Sequence, residues 1–186
     1  KAMLKEGLFS QYPTPDHVIA LHVSASVPAG KVSMKNEYTM ASVDSVDITV
    51  KGKGGHGAYP HTTIDPVVIA SRIVLALQTI TSRELSPLEP SVITVGSIHG
   101  GSKHNVISDE VKLQLTLRSY NPEVRLQQIA AIKRISKGIA LSAGLDESLI
   151  PEVYVHEDES IPSTYNNPAQ TNVVRNAISS ALGEEN

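Results

Sequence analysis

Residues 42–156 alternate between the hydrophobic period of a strand and that of a helix, and this alternation limits the possible folds more than any other feature. Residues 45–51 place Val or Ile at every second position, which predicts a strand with one buried face. A longer strand is predicted from Val106, and within it residues 111–118 alternate apolar with polar side chains. Residues 66–81 and 122–144 instead carry apolar side chains at helical spacing. Each helical segment begins at an Asp–Pro or Asn–Pro pair, which is typical of a helix N-cap and first turn.

The order of these segments predicts the fold class. Two shorter apolar segments, at residues 91–98 and 151–156, add two strands, so the predicted order is β-α-β-β-α-β. This is the ferredoxin-like arrangement of an α+β domain, in which two helices cover one face of a four-stranded antiparallel sheet. The opposite face of the predicted sheet carries the polar side chains Asp47, Thr49, Lys112, Gln114, Thr116 and Arg118.

The segments on either side of this unit follow other patterns. Residues 2–8 resemble the end of a helix, residues 18–23 form an apolar run that predicts a buried strand, and residues 167–182 predict one more helix. We expect these segments to be pieces of a second domain into which the central unit is inserted. The predicted division is 1–41, 42–156 and 157–186. Because the chain begins with Lys rather than Met, we also expect it to be cut from a longer protein.

Composition excludes several classes of function. The 186 residues include no cysteine, which rules out a disulfide scaffold and a cysteine-based zinc site. A net charge of −3 argues against a dedicated nucleic-acid or membrane binder, and a single Phe with no Trp argues against a base-stacking surface. No apolar run approaches the length of about 18 residues that a membrane span needs. We therefore expect a cytoplasmic protein without nucleic-acid or membrane partners.

The histidine at position 56 lies in the densest polar segment of the chain. Four glycines surround it within residues 52–57, and glycine allows the backbone to approach another group closely. Such a loop could present the imidazole of His56 to a ligand. It could equally be a helix-entry loop whose histidine is only solvated. The segment lacks the order of a phosphate-binding loop.

Three further side chains are candidates for a site. Asn105 directly precedes a strong strand, although asparagine is also common in ordinary turns. Arg118 could bind a carboxylate with two hydrogen bonds, or could be a solvated strand charge. His22 ends an apolar run and could bind a metal, but a buried structural histidine is the commoner outcome. One histidine cannot hold a zinc ion alone, so this segment predicts no self-contained metal site.

Taken together, three segments resemble a known family. They read ALHVSASVPAGKV, GKGGHGAYPHTTIDPV and GGSKHNVISDEVKLQLTLR, in this order. They are similar to segments of the aminoacylase/carboxypeptidase family of metal-dependent amidohydrolases, in the branch of hippurate hydrolases and indole-acetyl-amino-acid hydrolases. The resemblance implies a catalytic α/β domain with two divalent metal ions, such as zinc or manganese, and an inserted lid over residues 42–156. It also implies a homodimer formed through the lid and a small N-acyl amino acid as substrate.

The resemblance assigns roles to four residues. His22 matches a metal ligand, and His56 matches the lid histidine that reaches across the dimer and polarises the scissile carbonyl or its oxyanion. Asn105 matches an asparagine that contacts substrate or oxyanion, and Arg118 matches an arginine that binds the substrate carboxylate. His61 fits the branch without a firm role. The family's paired glutamates and its other metal ligands would lie outside this chain.

Two expectations follow for the chain itself. We expect it to supply the lid and dimer interface of a full-length amidohydrolase or metallopeptidase, and to be inactive alone, without a two-metal centre. The alternative is a stand-alone ferredoxin-like module with a ligand-binding or regulatory function. It stays open because the same fold serves many functions. Ser108, where the family often has proline, would affect only the stiffness of its loop.

Overall fold

A computed structural model describes residues 2–184. The chain forms two compact units, one of the residues up to Met34 together with those from Ala177 onward, the other of residues Lys35–Asn176. In chain order the elements are α1 (Ala2–Lys5), α2 (Leu8–Gln11), β1 (Glu37–Met40), β2 (Asp44–Lys51), β3 (Gly55–His56), α3 (Pro66–Thr79), β4 (Ser91–Gly100), β5 (Val106–Ile107), β6 (Glu110–Ser119), α4 (Pro122–Ser142), β7 (Glu152–Val155), β8 (Thr164–Asn166) and α5 (Pro168–Leu182). None of the helices within residues 2–184 is long and apolar enough to cross a membrane.

The second unit is built on a four-stranded antiparallel sheet in the order β4-β6-β2-β7. Helices α3 and α4 pack on the sheet and on each other. The prediction of a ferredoxin-like α+β fold is therefore confirmed. Both predicted caps are present, since the Asp65 side chain accepts a hydrogen bond from the Val67 N–H and that of Asn121 accepts one from the Glu123 N–H.

The core lies between the sheet and the two helices. Strand β2 alternates buried with partly exposed side chains along its length, and β6 does the same opposite it. Each fully buried leucine or isoleucine contributes about 1.5–3 kcal/mol. The largest fully buried aliphatic side chains of the sheet and the helices are Ile48, Leu113, Leu117, Ile69, Ile73, Leu77, Ile80 and Ile132.

A buried ion pair joins helix α4 to the first residue of strand β2. The Arg125 guanidinium on α4 contacts Oδ1 of Asp44 on β2 at 2.8 Å, and also contacts Glu157 at 3.0 Å. The Asp44 side chain is buried, and its hydrogen bond to Arg125 raises the pKa of that guanidinium above its ordinary value. The sequence patterns did not predict this pair.

The long strand predicted from residue 106 is interrupted. Val106–Ile107 form the short strand β5, which pairs with β3 instead of continuing the central sheet. The interruption falls at Ser108 and Asp109. The Ser108 hydroxyl bonds the backbone of Glu110, and such local bonds compete with a regular ladder. The hydrophobic alternation therefore predicted β6 correctly, but not its separation from β5.

Two strands outside the predicted lid belong to the same compact unit. Strand β1 pairs with β8. Val43, just before β2, and Ile161, just before β8, exchange two backbone hydrogen bonds of 2.9 Å. Neither short strand was predicted. The division into 1–41, 42–156 and 157–186 remains a prediction.

The prediction of a buried strand at residues 18–23 is wrong for this structure. The segment has no regular secondary structure, and Val18, Leu21 and Val23 are 79%, 86% and 91% exposed. A buried strand needs neighbouring strands that accept and donate its backbone hydrogen bonds, and other elements that cover its side chains. The compact unit that contains residues 18–23 has no strand among its described residues. The predicted helix at the C-terminal end is present as α5, with the Asn167 side chain accepting hydrogen bonds from the first turn.

Candidate functional site

Strands β3 and β5 bring two of the four candidate residues together. His56 on β3 pairs with Val106 on β5, the residue that follows Asn105. The Gly57 N–H then donates a hydrogen bond of 2.8 Å to the carbonyl oxygen of Asn105. We call residues 52–59 and 104–109, which make this contact, the His56 arm. The arm thus carries an imidazole and a carboxamide on neighbouring backbone segments, and both side chains are exposed.

The glycines of the His56 arm permit this close approach. A Cβ at Gly54 would lie 2.6 Å from the carbonyl oxygen of Ile107, and one at Gly57 would lie 3.1 Å from that of Asn105. The first distance is too short for any side chain, so Gly54 is required by the packing of the two segments. The glycine-rich composition therefore reflects contact between the two parts of the arm.

The hydrogen bonding of His56 fixes which ring nitrogen carries its proton. The Ala58 N–H points at Nδ1 of His56, at 3.1 Å. A backbone N–H can only donate, so Nδ1 acts as the acceptor and the neutral ring carries its hydrogen on Nε2. His56 can thus donate a hydrogen bond to a ligand through Nε2. Its ring also lies 5.7 Å from that of Tyr59, which in turn lies 6.2 Å from the ring of His61.

Arg118 is on the open face of the sheet and far from the His56 arm in the same chain. Strand β6 begins at Glu110, directly after the arm, and Arg118 lies opposite Val92 near the other end. Eight residues of extended chain span about 26 Å. The Arg118 side chain is exposed. The structure therefore does not place Arg118 beside His56 and Asn105 within one chain.

His22 is in the other compact unit, in the exposed segment that was predicted as a strand. Its Nδ1 lies 2.6 Å from the carbonyl oxygen of Val23. Within residues 2–184, no group of three or more His, Cys, Asp or Glu side chains could hold a metal ion. His22 alone does not fit a two-metal centre.

One residue of the arm was missed in the sequence. The carboxylate of Asp109 accepts a hydrogen bond of 2.8 Å from the Gly54 N–H, across the two parts of the arm. An acidic residue between two strands is a common turn residue, so its position alone gave no signal.

The open face of the sheet also holds a shallow concavity of about 250 Å³. Its lining residues are Asp47, Thr49, His99, Lys112 and Gln114. Beside it, Nε2 of His156 lies 3.1 Å from Asp47. None of the four candidate residues lines it.

Comparison with known proteins finds relatives among peptidases and deacetylases. The model of a family described as peptidase dimerisation domain matches residues 41–142, which is more than half of the chain. An N-acetyldiaminopimelate deacetylase of Priestia megaterium is 40% identical over 137 residues, covering 74% of this chain and 36% of the deacetylase.

Two crystal structures match nearly the whole chain. A protein of methicillin-resistant Staphylococcus aureus, described as an aminohydrolase, has a TM-score of 0.81 at 34% identity and covers 96% of this chain. A Bacillus subtilis protein, described as a dinuclear metal-binding peptidase of the M20 family, has a TM-score of 0.66 at 25% identity and also covers 96%. The chain spans only 45% and 42% of the lengths of these two proteins.

Proposed function

This chain belongs to the M20 peptidase family and contains its dimerisation domain, and we propose that it is part of a metal-dependent amidohydrolase that cleaves N-acyl amino acids or related amides. The observation that carries the proposal is that the pairing of His56 with Val106 and the backbone hydrogen bond from Gly57 to Asn105 place His56 and Asn105 on one arm, where both side chains are exposed. The deacetylase and the peptidase among the relatives support a hydrolase of acyl-nitrogen bonds.

We assign His56 and Asn105 the task of donating hydrogen bonds to the reacting carbonyl oxygen. Attack on an amide carbon places negative charge on that oxygen, and a donor aimed at it stabilises the transition state. The Nε2 hydrogen of His56 is suited to this because the Ala58 N–H occupies Nδ1. The Asn105 amide would act as a second donor. Removing one such donor typically lowers the rate by about 100- to 1,000-fold.

We propose that Arg118 binds the carboxylate of the substrate from a second copy of the chain. The separation of about 26 Å along β6 exceeds the length of an N-acyl amino acid. Arg118 and the His56 arm can therefore meet one substrate only if they come from different chains. A homodimer through the lid satisfies this requirement, and the family's dimerisation domain supports it.

The edge of the central sheet supports an interface of this kind. Strand β4 is the end strand in the order β4-β6-β2-β7, and an unpaired edge can accept a strand of another chain. Its apolar side chains Val92 and Ile98 are 48% and 50% exposed. Leu75 on α3 is also exposed, at 73%. Sedimentation at micromolar concentration should show a dimer, and a monomer alone would contradict this part of the proposal.

The metal centre belongs to the full-length protein in this proposal. Two divalent ions, zinc, manganese or similar, would activate the attacking water there, and His22 would be one ligand among others that this chain lacks. The dinuclear relative supports this. The chain alone should bind no two-metal centre and show no hydrolase activity. A cytoplasmic location stays a prediction, to be checked by fractionating cells that express the full-length protein.

The test uses the full-length protein that contains this chain. It should hydrolyse at least one member of a panel of N-acyl amino acids, and His56→Ala should lower kcat by about 100-fold or more. His17→Ala is the matched control, because His17 is also exposed but lies in the other compact unit. A loss below tenfold in His56→Ala would contradict the role of His56. No activity on any amide, with a ligand bound by the concavity instead, would favour a regulatory module.

A further inference from the structure

The hydrogen-bond ladder between β2 and β6 continues into the His56 arm with one gap. At the end of the central sheet, Lys51 pairs with Glu110, and the Gly52 N–H donates to the backbone carbonyl of Asp109 at 2.8 Å. The ladder resumes where Gly55 pairs with Ile107. Residues 53 and 54 lie between these two stretches.

The two residues in the gap find different partners. Lys53 turns away and exchanges two backbone hydrogen bonds of 2.9 Å with Ile64. The Gly54 N–H instead donates to Oδ1 of Asp109 at 2.8 Å. A carboxylate side chain thus takes the place of a backbone carbonyl in the ladder. A hydrogen bond to a charged acceptor is stronger than one between neutral groups.

The packing around this bond leaves no room for a side chain at position 54. A Cβ on Gly54 would lie 2.7 Å from Oδ1 of Asp109. The carboxylate therefore lies directly against the backbone of the glycine-rich segment. Asp109 connects to both parts of that segment, through its own backbone to Gly52 and through its side chain to Gly54.

We propose that Asp109 is a positioning residue that holds the segment bearing His56 in register with the segment bearing Asn105. This inference rests on the proposed function, because it treats His56 and Asn105 as donors to one reacting oxygen. Asp109 itself does not touch the substrate in this assignment. It sets the distance between the two donors by joining residues 52–54 of the arm to its other segment, residues 104–109.

Ser108 provides a matched control. Its hydroxyl bonds only the backbone of Glu110, within the same segment, at 2.9 and 3.3 Å. Ser108→Ala therefore removes side-chain hydrogen bonds at the neighbouring position without touching the contact between the two segments. Asp109→Asn keeps an oxygen that can accept from the Gly54 N–H, whereas Asp109→Ala keeps none.

The first experiment measures amide exchange with water by NMR in the 186-residue chain. The Gly57 N–H, which donates to Asn105, reports on the contact between the segments. Asp109→Ala should accelerate its exchange about five- to tenfold, Asp109→Asn should restore most of the protection, and Ser108→Ala should change it less than twofold. An unchanged rate in Asp109→Ala, or an equal acceleration in Ser108→Ala, would overturn the inference.

The second experiment separates positioning from a general loss of stability. In the full-length enzyme, Asp109→Ala should lower kcat about ten- to hundredfold, leave KM within about twofold and leave the thermal midpoint unchanged, because the donors are present but misplaced. Asp109→Asn should recover most of kcat. A parallel fall in kcat and thermal midpoint would overturn the inference. If the full-length protein hydrolyses no amide, the proposed function fails, whereas the exchange result still decides whether Asp109 holds the arm.

Discussion

The central sheet and the His56 arm are continuous in the chain but are held together by different forces. Strands β2 and β6 are joined by an unbroken ladder and covered by two helices, so their inward side chains are almost fully buried. The arm is exposed and is held by a short two-residue ladder, glycine contacts and one carboxylate. Burial of apolar surface dominates the first region, whereas hydrogen bonds dominate the second.

This difference separates stability from the proposed chemistry. Exposed hydrogen bonds contribute little net free energy of unfolding, but they can fix the direction of a donor. Substitutions in the sheet should therefore change stability first, and substitutions in the arm should change activity first. The following predictions test that separation, from the largest change in unfolding free energy to the smallest.

The largest effect is expected in the core of the sheet. Leu113→Ala should lower the free energy of unfolding by about 4 kcal/mol, because Leu113 is fully buried and its loss leaves a cavity. Urea denaturation of the chain measures this. Leu88→Ala is the control, because Leu88 is 89% exposed and its removal should cost less than about 0.5 kcal/mol. Equal losses in the two variants would mean that the described core does not carry the stability.

The next effect concerns the buried ion pair. Arg125→Met should lower the free energy of unfolding by about 3 kcal/mol, because it leaves the Asp44 carboxylate buried without its cation. Arg134→Met is the control, because Arg134 pairs with Glu84 at an exposed position. Urea denaturation at neutral pH should show a loss in the first variant and almost none in the second.

The pH dependence of this pair has a definite sign. The pKa of Arg125 is raised in the folded state, so its contribution is fully present below the ordinary arginine pKa and disappears only as pH rises through the folded value. The difference in stability between wild type and Arg125→Met should therefore not be lost through deprotonation of Arg125 as the pH rises from neutral to 9. A difference that vanished in this range would contradict Arg125 as its source.

The sequence predicted the regular parts of the fold because their periodicities are local. The alternation in β2 and β6 and the caps at Asp65 and Asn121 each depend on a few neighbouring residues. The segment at residues 18–23 failed because burial of a strand depends on partners from elsewhere. Its apolar residues satisfy the local rule but find no sheet among the described residues of their unit.

The candidate site divides in the same way. His56 and Asn105 stood out through glycine-rich surroundings and a resemblance to a family, and the structure places them on one arm. Asp109 did not stand out, because its role arises only when Gly54, far away in the sequence, lies against it. The distance of Arg118 from the arm was also hidden, since it depends on where β6 begins.

A smaller effect is expected at the N-terminus of α3. Asp65→Ala should lower the free energy of unfolding by about 1 kcal/mol, because its carboxylate caps α3 by accepting from the Val67 N–H at 2.8 Å. Asp65→Asn should retain most of the stability, since an asparagine side chain caps helices nearly as well. A loss in Asp65→Asn as large as that in Asp65→Ala would assign the effect to the charge rather than to the cap.

The smallest change in stability is expected for His56→Ala, although its effect on activity should be the largest of the arm. The His56 side chain is exposed and its ring accepts a single hydrogen bond, from the Ala58 N–H within its own loop. Surface substitutions of this kind change the free energy of unfolding by less than about 0.5 kcal/mol. Urea denaturation of the 186-residue chain should therefore give overlapping curves for wild type and variant. A loss above about 1 kcal/mol would mean that His56 helps to hold the fold, and the separation between sheet and arm would no longer explain a fall in kcat.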